Sequence, residues 1–204
     1  MLLSNNGIST GAAIGIFVAI IVVGTIIYMI KDHFDTKKGV DSEEKKFIFN
    51  LIQNIVPAGE QVTAAYAHFE TTQYGGGGRR ITETTTYRYY AIGFNDERIY
   101  VVPLSHAGGE LSYKDKFVIN KNELGMVNGF TGGDWMTLYD KTQSELITIR
   151  VTASNTKEDK YHPVNIQQPE EAKAFGALVN KWLNEVNAAN GVTVTGKWGK
   201  PIKK

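Results

Sequence analysis

The chain has 204 residues, and its 22 lysines and arginines against 21 aspartates and glutamates leave a formal net charge of +1. This balance provides no overall field that would attract nucleic acid, so we predict no nucleic-acid partner. The sequence contains no cysteine, which excludes disulfides, thiolate nucleophiles and zinc sites built on cysteine.

The first feature along the chain is an uncharged apolar segment. Residues 11–30 read GAAIGIFVAIIVVGTIIYMI, and a helix of this length would be about 30 Å long, which matches the hydrocarbon thickness of a bilayer. A cleaved signal peptide would need a basic region before the apolar core and a small-x-small cleavage site, and the sequence has neither. We therefore predict a retained transmembrane helix, preceded by a short N-terminus of residues 1–10.

The lysines around this segment predict its orientation. None precedes the segment, whereas several follow it closely, and the cytoplasmic flanks of membrane helices carry an excess of such cations. The sequence thus predicts a single-pass protein of the cell membrane, with its N-terminus outside and everything after the helix in the cytoplasm. The lysines that follow are Lys31, Lys37, Lys38, Lys45 and Lys46.

Small residues recur within the predicted membrane helix, where Gly11, Gly15 and Ala19 are spaced four residues apart. Such spacing lets two membrane helices approach each other closely. Glycine is also frequent in membrane helices generally. The pattern therefore has two interpretations: two copies of the helix pack through these residues, or the helix is monomeric.

Residues 31–58 are predicted to hold a juxtamembrane linker and then an amphipathic helix. Asp41 suits the N-cap of this helix, with Glu44 three residues later, and Pro57 ends it. The apolar face of the helix needs a cover, for which we favour the following domain over a partner copy or the bilayer surface. That face comprises Ile48, Leu51, Ile52 and Ile55.

After residue 61 the hydrophobic period changes to two, and β-branched and aromatic residues dominate, which is typical of strands. A succession of short strands favours an antiparallel sandwich or barrel over alternating βα units. The predicted strands are residues 62–71, 82–94, 98–104, 116–120, 123–127, 135–139 and 145–153.

One helix is predicted after the strands. Pro169 suits its first turn, and the acidic Glu170 and Glu171 suit the positive end of its dipole. An amphipathic helix in this position can cap the mouth of a partly open barrel, and we expect Trp182 to be the main plug. The apolar stripe of the helix comprises Phe175, Leu178, Val179, Trp182 and Val186.

Three segments together are similar to the bacterial members of the pleckstrin-homology-like (PH-like) family. Residues 91–104, AIGFNDERIYVVPL, resemble a hairpin of that family, residues 117–130 its next strand pair, and residues 170–186 its final helix. The resemblance covers residues 59–187. It implies a mainly β, α+β domain that ends near residue 188, a partly open antiparallel barrel of about seven strands capped by a C-terminal helix.

A glycine-rich loop, YGGGGRR at residues 74–80, joins the first two predicted strands. In relatives of the PH-like family this loop supplies a cationic pocket for phosphoinositide headgroups, together with a basic residue in the first strand. Residues 62–71 contain no lysine or arginine, so the family's lipid motif is incomplete. The loop is either a flexible tip or a weak contact for anionic lipids, to which a basic tail of residues 189–204 would add. The lipid-contact candidates are Arg79, Arg80, Arg88, Lys197 and Lys200.

The sequence shows no catalytic pattern. Its four histidines are scattered without the spacing of metal ligands, and no serine lies in a nucleophile-elbow motif, so we predict no catalytic residue, no metal and no cofactor. We expect a membrane-anchored, non-enzymatic binding or scaffolding module that recognises an unidentified protein partner or forms a homo-oligomer. The alternative is a peripheral sensor of anionic lipid headgroups.

Overall fold

A computed structural model describes residues 43–75, 82–107, 110–129, 131–156, 163–193 and 202–203. These residues belong to one compact unit, Gly39–Lys204. Within the described ranges, no helix combines the length and the apolar character that crossing a membrane requires. The predicted membrane helix of residues 11–30, with Gly11, Gly15 and Ala19, lies outside the described residues and stays a prediction.

The described part of the chain starts with a helix, continues with strands and ends with a long helix followed by a short strand pair. A single 3₁₀ turn, Lys121–Glu123, lies between the fifth and sixth strands. The elements are α1 (Glu43–Ile55), β1 (Thr63–Gly75), β2 (Thr82–Phe94), β3 (Arg98–Ala107), β4 (Glu110–Tyr113), β5 (Phe117–Asn120), β6 (Leu124–Gly129), β7 (Trp135–Asp140), β8 (Glu145–Arg150), β9 (Ser154–Asn155), β10 (Ile166–Gln167), α2 (Pro169–Ala189), β11 (Val192–Thr193) and β12 (Ile202–Lys203).

The main sheet is antiparallel, with the described strands in the order β4-β3-β2-β1-β8-β7-β6 and with β5 paired to β3. Strands that follow one another in the chain are neighbours within each half of this sheet. The two halves meet where β1 pairs with β8 at His68 and Arg150. The α+β class, with an antiparallel sheet and a C-terminal helix packed on it, agrees with the prediction.

The first three strands bury both faces along part of their length, at residues 65–68, 90–94 and 99–102. Ala65 and Ala67 of β1 belong to one hydrophobic core, together with Val179 and Trp182 of α2. Tyr66, which points the opposite way, belongs to a second core with residues of α1. Because side chains alternate across a strand, a helix on each side of β1–β3 explains why these strands read as nearly continuous apolar runs.

Helix α1 packs on the domain that follows it, which confirms the favoured interpretation of its apolar face. Ile48, Leu51 and Ile52 are buried and share a core with Tyr66 of β1. A Cβ atom on Gly93 of β2 would lie 2.5 Å from the Ile52 Cγ2 atom, so this glycine allows the helix to approach the sheet. Burial of such an apolar face stabilises the helix far more than its own propensity does.

Helix α2 covers the other face of the sheet. Trp182 is 0 % exposed, and its indole Nε1 donates a hydrogen bond to the Asp96 carbonyl oxygen in the β2–β3 turn at 3.0 Å. The ring therefore fills the core while its one polar atom has a partner, as a buried tryptophan requires. The expected burial of Trp182 under the C-terminal helix is confirmed, whereas its role as the plug of a barrel mouth stays a prediction.

The bounds of some strands differ from the predicted ones. Strand β1 runs to Gly75 rather than to residue 71, and β8 ends at Arg150 rather than at residue 153. Beyond β8, the Val151 amide still donates to the Asp134 carbonyl oxygen at 2.8 Å, which continues the β7–β8 register one residue past Arg150. Strand β4 was absent from the sequence prediction because its short polar sequence ELSY lacks a hydrophobic alternation.

Candidate binding surfaces

The β1–β2 hairpin extends past the strands that flank its base. The two strands pair without interruption from Thr63 and Phe94 to Gly75 and Thr82. On the outer sides, β1 meets β8 at His68 and β2 meets β3 no further than Tyr89 among the described residues. Residues 69–75 and 82–88 thus form a two-stranded extension, here called the ribbon, of about 24 Å at a typical strand rise.

The ribbon is rich in threonine and polar on both faces. Glu70, Thr72, Thr84 and Thr86 are exposed, and Thr72 Oγ1 lies 3.1 Å from Thr85 Oγ1 across the strand pair. β-Branched residues favour extended strands, so this composition supports the strand pairing of the ribbon, although neither hydrophobic core of the described residues includes a ribbon residue.

One of the five lipid-contact candidates lies within the described residues. Arg88 is an exposed residue of the ribbon and pairs in register with Phe69. Burial raises the pKa of Tyr90, and the guanidinium of Arg88 beside it opposes that rise. Of the loop predicted at residues 74–80, Tyr74 and Gly75 belong to β1, and residues 76–80 lie outside the described residues. The other four candidates, Arg79, Arg80, Lys197 and Lys200, lie outside the described residues.

A cavity of about 510 Å³, here called the ribbon cleft, lies between the base of the ribbon and the β6–β8 half of the sheet. One wall is the outer part of β1. The other wall and the floor come from the side of β6, β7 and β8 that points away from the core. The lining residues are Phe69, Glu70, Thr71, Asn128, Trp135, Thr137, Glu145, Thr148 and Arg150.

The floor of the ribbon cleft carries two buried hydroxyl groups that are hydrogen-bonded. Thr148 Oγ1 donates to Glu145 Oε1 at 3.1 Å, so the 2.9 Å contact between Thr137 and Thr148 has the Thr137 hydroxyl as its donor. At the rim, Arg150 Nε lies 3.4 Å from Asp134 Oδ2. The two buried hydroxyls and the Glu145 carboxylate are thus engaged with one another, and the cleft offers shape and backbone edges to a ligand rather than an activated nucleophile.

Two buried side-chain amides hydrogen-bond the backbone of a strand residue, as a neighbouring strand would. Neither of them was predicted from the sequence. Gln168, 1 % exposed, accepts from the Tyr66 amide at 2.9 Å and donates to the Tyr66 carbonyl oxygen at 2.8 Å. Asn187, 2 % exposed, does the same for Val127 of β6, at 2.9 and 2.8 Å. The only sequence signal for Asn187 is a polar residue beside the apolar stripe of α2.

A small polar cluster lies at the junction of the two halves of the sheet. His68 is 8 % exposed, and its Nε2 atom lies 3.4 Å from Thr152 Oγ1. Thr152 Oγ1 donates to Asn155 Oδ1 at 2.8 Å, so the histidine faces an oxygen whose proton is already engaged. Elsewhere in the described ranges, no three His, Asp or Glu side chains come together in a way that could hold a metal ion.

Two further cavities flank α2. One of about 590 Å³ separates its first half from the Gly132–Gly133 turn. The other, of about 440 Å³, lies beside its last turn and includes Lys121. Burial alone would lower the pKa of Lys121, but Glu97 and Glu185 together raise it, which keeps this lysine charged and engaged.

Neither a comparison with protein-family models nor a comparison with curated proteins finds a match for this chain.

Proposed function

We propose that the chain is a membrane-anchored, non-enzymatic binding or scaffolding module, whose domain is a PH-like, partly open barrel held in the cytoplasm. The observation that carries the proposal is the ribbon cleft, an open surface beside an extended strand edge, in which the buried hydroxyls are engaged with each other. Such a surface suits recognition of an extended polypeptide, because backbone edges bind other backbones.

The strand order supports the PH-like part of the proposal. A meander of β1 to β4, a second meander of β6 to β8, and a C-terminal helix over the shared core follow the architecture that the sequence resemblance implies. The two halves join at His68 and Arg150, which is compatible with a barrel that is open on one side.

The membrane part rests on the uncharged segment of residues 11–30 and on the lysines after it. Its test is the full chain expressed in cells. We expect the protein to resist alkaline extraction from membranes, and the domain to be digested by protease added to inverted vesicles but not to intact cells. Digestion in intact cells would contradict the orientation, and release by alkali would contradict the anchor.

The binding part is tested with a photo-crosslinking amino acid placed at Thr71, which lines the ribbon cleft. The matched control is Lys141, an exposed residue in the β7–β8 turn. We expect a discrete cross-linked product from the position in the cleft and none from the turn. Equal labelling at both positions would argue against the cleft as a recognition surface.

A second function, weak sensing of anionic lipid headgroups, has one observation in its favour. Arg88 is exposed on the ribbon, which leads to the loop that contains Arg79 and Arg80. Each cation near a negatively charged leaflet contributes about 1 kcal/mol. In flotation with anionic liposomes, the chain with Arg79→Ala and Arg80→Ala should bind less than the wild type, with Lys141→Ala as the control for loss of a distant charge. Indifference to lipid charge would exclude this function.

A further inference from the structure

Along the ribbon, β1 pairs with a described strand on one side only. Residues 69–75 pair with β2 on one side, and on the other side no described strand pairs with them once β1 has passed His68. The amide and carbonyl groups on that side of an extended strand form a row that another strand can bind.

The usual protections of a strand edge are missing from this segment. Residues 69–75 read FETTQYG and contain neither lysine nor proline, which are the residues that commonly block pairing at edges. The register with β2 is unbroken, whereas a bulge or irregularity interrupts both the β6–β7 and the β7–β8 pairings. At the β6 edge of the same sheet, by contrast, the Asn187 side chain hydrogen-bonds both the amide and the carbonyl oxygen of Val127.

Space for an added strand exists beside the same edge. The ribbon cleft, about 510 Å³, is lined on one side by Phe69, Glu70 and Thr71. A strand adds at about 4.8 Å from its neighbour, so the first residues of an incoming strand would enter the ribbon cleft, beside Phe69, Glu70 and Thr71.

The segment is suited to pairing with itself. In an antiparallel pair with a two-fold axis at Thr72, Thr71 lies opposite Gln73 and Glu70 lies opposite Tyr74 of the other copy. Glu70 is the only charged residue of the segment, and in this register the two copies of Glu70 are about 14 Å apart along the strands. No like charges oppose each other, and at the centre two threonines face each other, a favourable cross-strand pair.

We propose that two copies of this chain associate edge to edge along β1, antiparallel and with the two-fold axis at Thr72, so that their ribbons form a four-stranded sheet. This deepens the proposed function, on which it rests, because it names a second copy as a partner of the scaffolding module. Anchoring in one membrane confines the copies to a plane and raises their effective concentration.

The absence of native cysteine makes single-cysteine cross-linking a clean test. In the proposed register the Cβ atoms of the two Thr72 residues lie about 4.5–5.5 Å apart, close to the separation that a disulfide needs. The matched control is Thr84 of β2, which is also exposed. Two copies of Thr84 would be separated by three strand spacings, about 14 Å.

Full-length T72C and T84C are expressed separately, and isolated membranes are treated with a mild oxidant. We expect at least about ten times more disulfide-linked homodimer from T72C than from T84C, and loss of this dimer when wild-type chain is co-expressed in excess. The same yield from both variants, no dimer from either, or mixed disulfides with other proteins in place of the homodimer would overturn the proposal. A chain found outside the membrane fraction would count against the anchor instead, and its cross-linking would still test the β1 pairing.

Discussion

The edge of β6, at the end of the sheet, and the edge of β1 along the ribbon differ in how they are covered. The edge of β6 is covered by α2, since Asn187 bonds the amide and carbonyl of Val127 and Asn190 Nδ2 donates to the Leu124 carbonyl oxygen at 3.2 Å. The ribbon edge of β1 has no such cover among the described residues. Helix α2 therefore fills the core and also covers the edge of β6. The described residues leave the edge of β1 along the ribbon uncovered.

The largest effect on stability is expected from removing the buried side chain at the centre of α2. Trp182→Ala removes a side chain that is 0 % exposed and should lower the free energy of unfolding by about 3–5 kcal/mol, through lost burial and a residual cavity. Urea unfolding followed by circular dichroism measures the change. The control is Asn184→Ala, at an exposed position of the same helix, and should change stability by less than about 0.5 kcal/mol. Equal effects would mean that α2 does not hold the core together.

A smaller effect on stability is expected from removing the side chain that covers the edge of β6 while Trp182 stays in place. Asn187→Ala leaves the buried amide and carbonyl of Val127 without their partner and should cost about 1–3 kcal/mol. Amide hydrogen exchange in β6 should become faster than in the Asn184→Ala control. If exchange in β6 stays unchanged, the amide side chain is not what protects this edge.

The difference between the edges also marks how far the sequence could predict this molecule. Seven of the strands, the final helix and the burial of Trp182 follow from local periodicity and from breakers such as Pro169, and they were predicted. The functions of Gln168 and Asn187 depend on which strand lies opposite a side chain, and this pairing is not local. The unpaired edge of β1 along the ribbon could not be read from the sequence either, because it results from where β8 stops pairing with β1 among the described residues.

The base of the β1–β2 hairpin is fastened by the carboxylate of Glu60. Glu60 accepts hydrogen bonds from the Tyr100 hydroxyl and from Asn95 Nδ2, both at 2.7 Å. These bonds, first the one from Tyr100, and the charge of Arg98 lower the pKa of Glu60 below its ordinary 4.5.

A lowered pKa fixes the direction of the pH effect. The folded state favours the ionised form of Glu60, so its contribution is full above pH 4.5 and is lost as the pH falls through the lower, folded-state pKa. We expect the urea midpoint of the wild type to fall more steeply below pH 4.5 than that of Glu60→Gln, which has no such titration. Parallel pH profiles would show that Glu60 does not fasten the hairpin base.

The smallest effect on stability is expected in the ribbon itself. Two similar threonine–threonine contacts, one in the ribbon and one in the body of the domain, allow the two regions to be compared. Thr148→Val leaves the buried Thr137 hydroxyl without its acceptor and should cost about 1–3 kcal/mol. Thr85→Val removes the same kind of contact, the 3.1 Å approach to Thr72, at a position where water can replace it, and should cost less than about 0.5 kcal/mol. Urea unfolding compares the two variants directly. If Thr85→Val costs as much as Thr148→Val, the ribbon is stabilised as part of the core, and its edge is less available for pairing than the free side of β1 suggests.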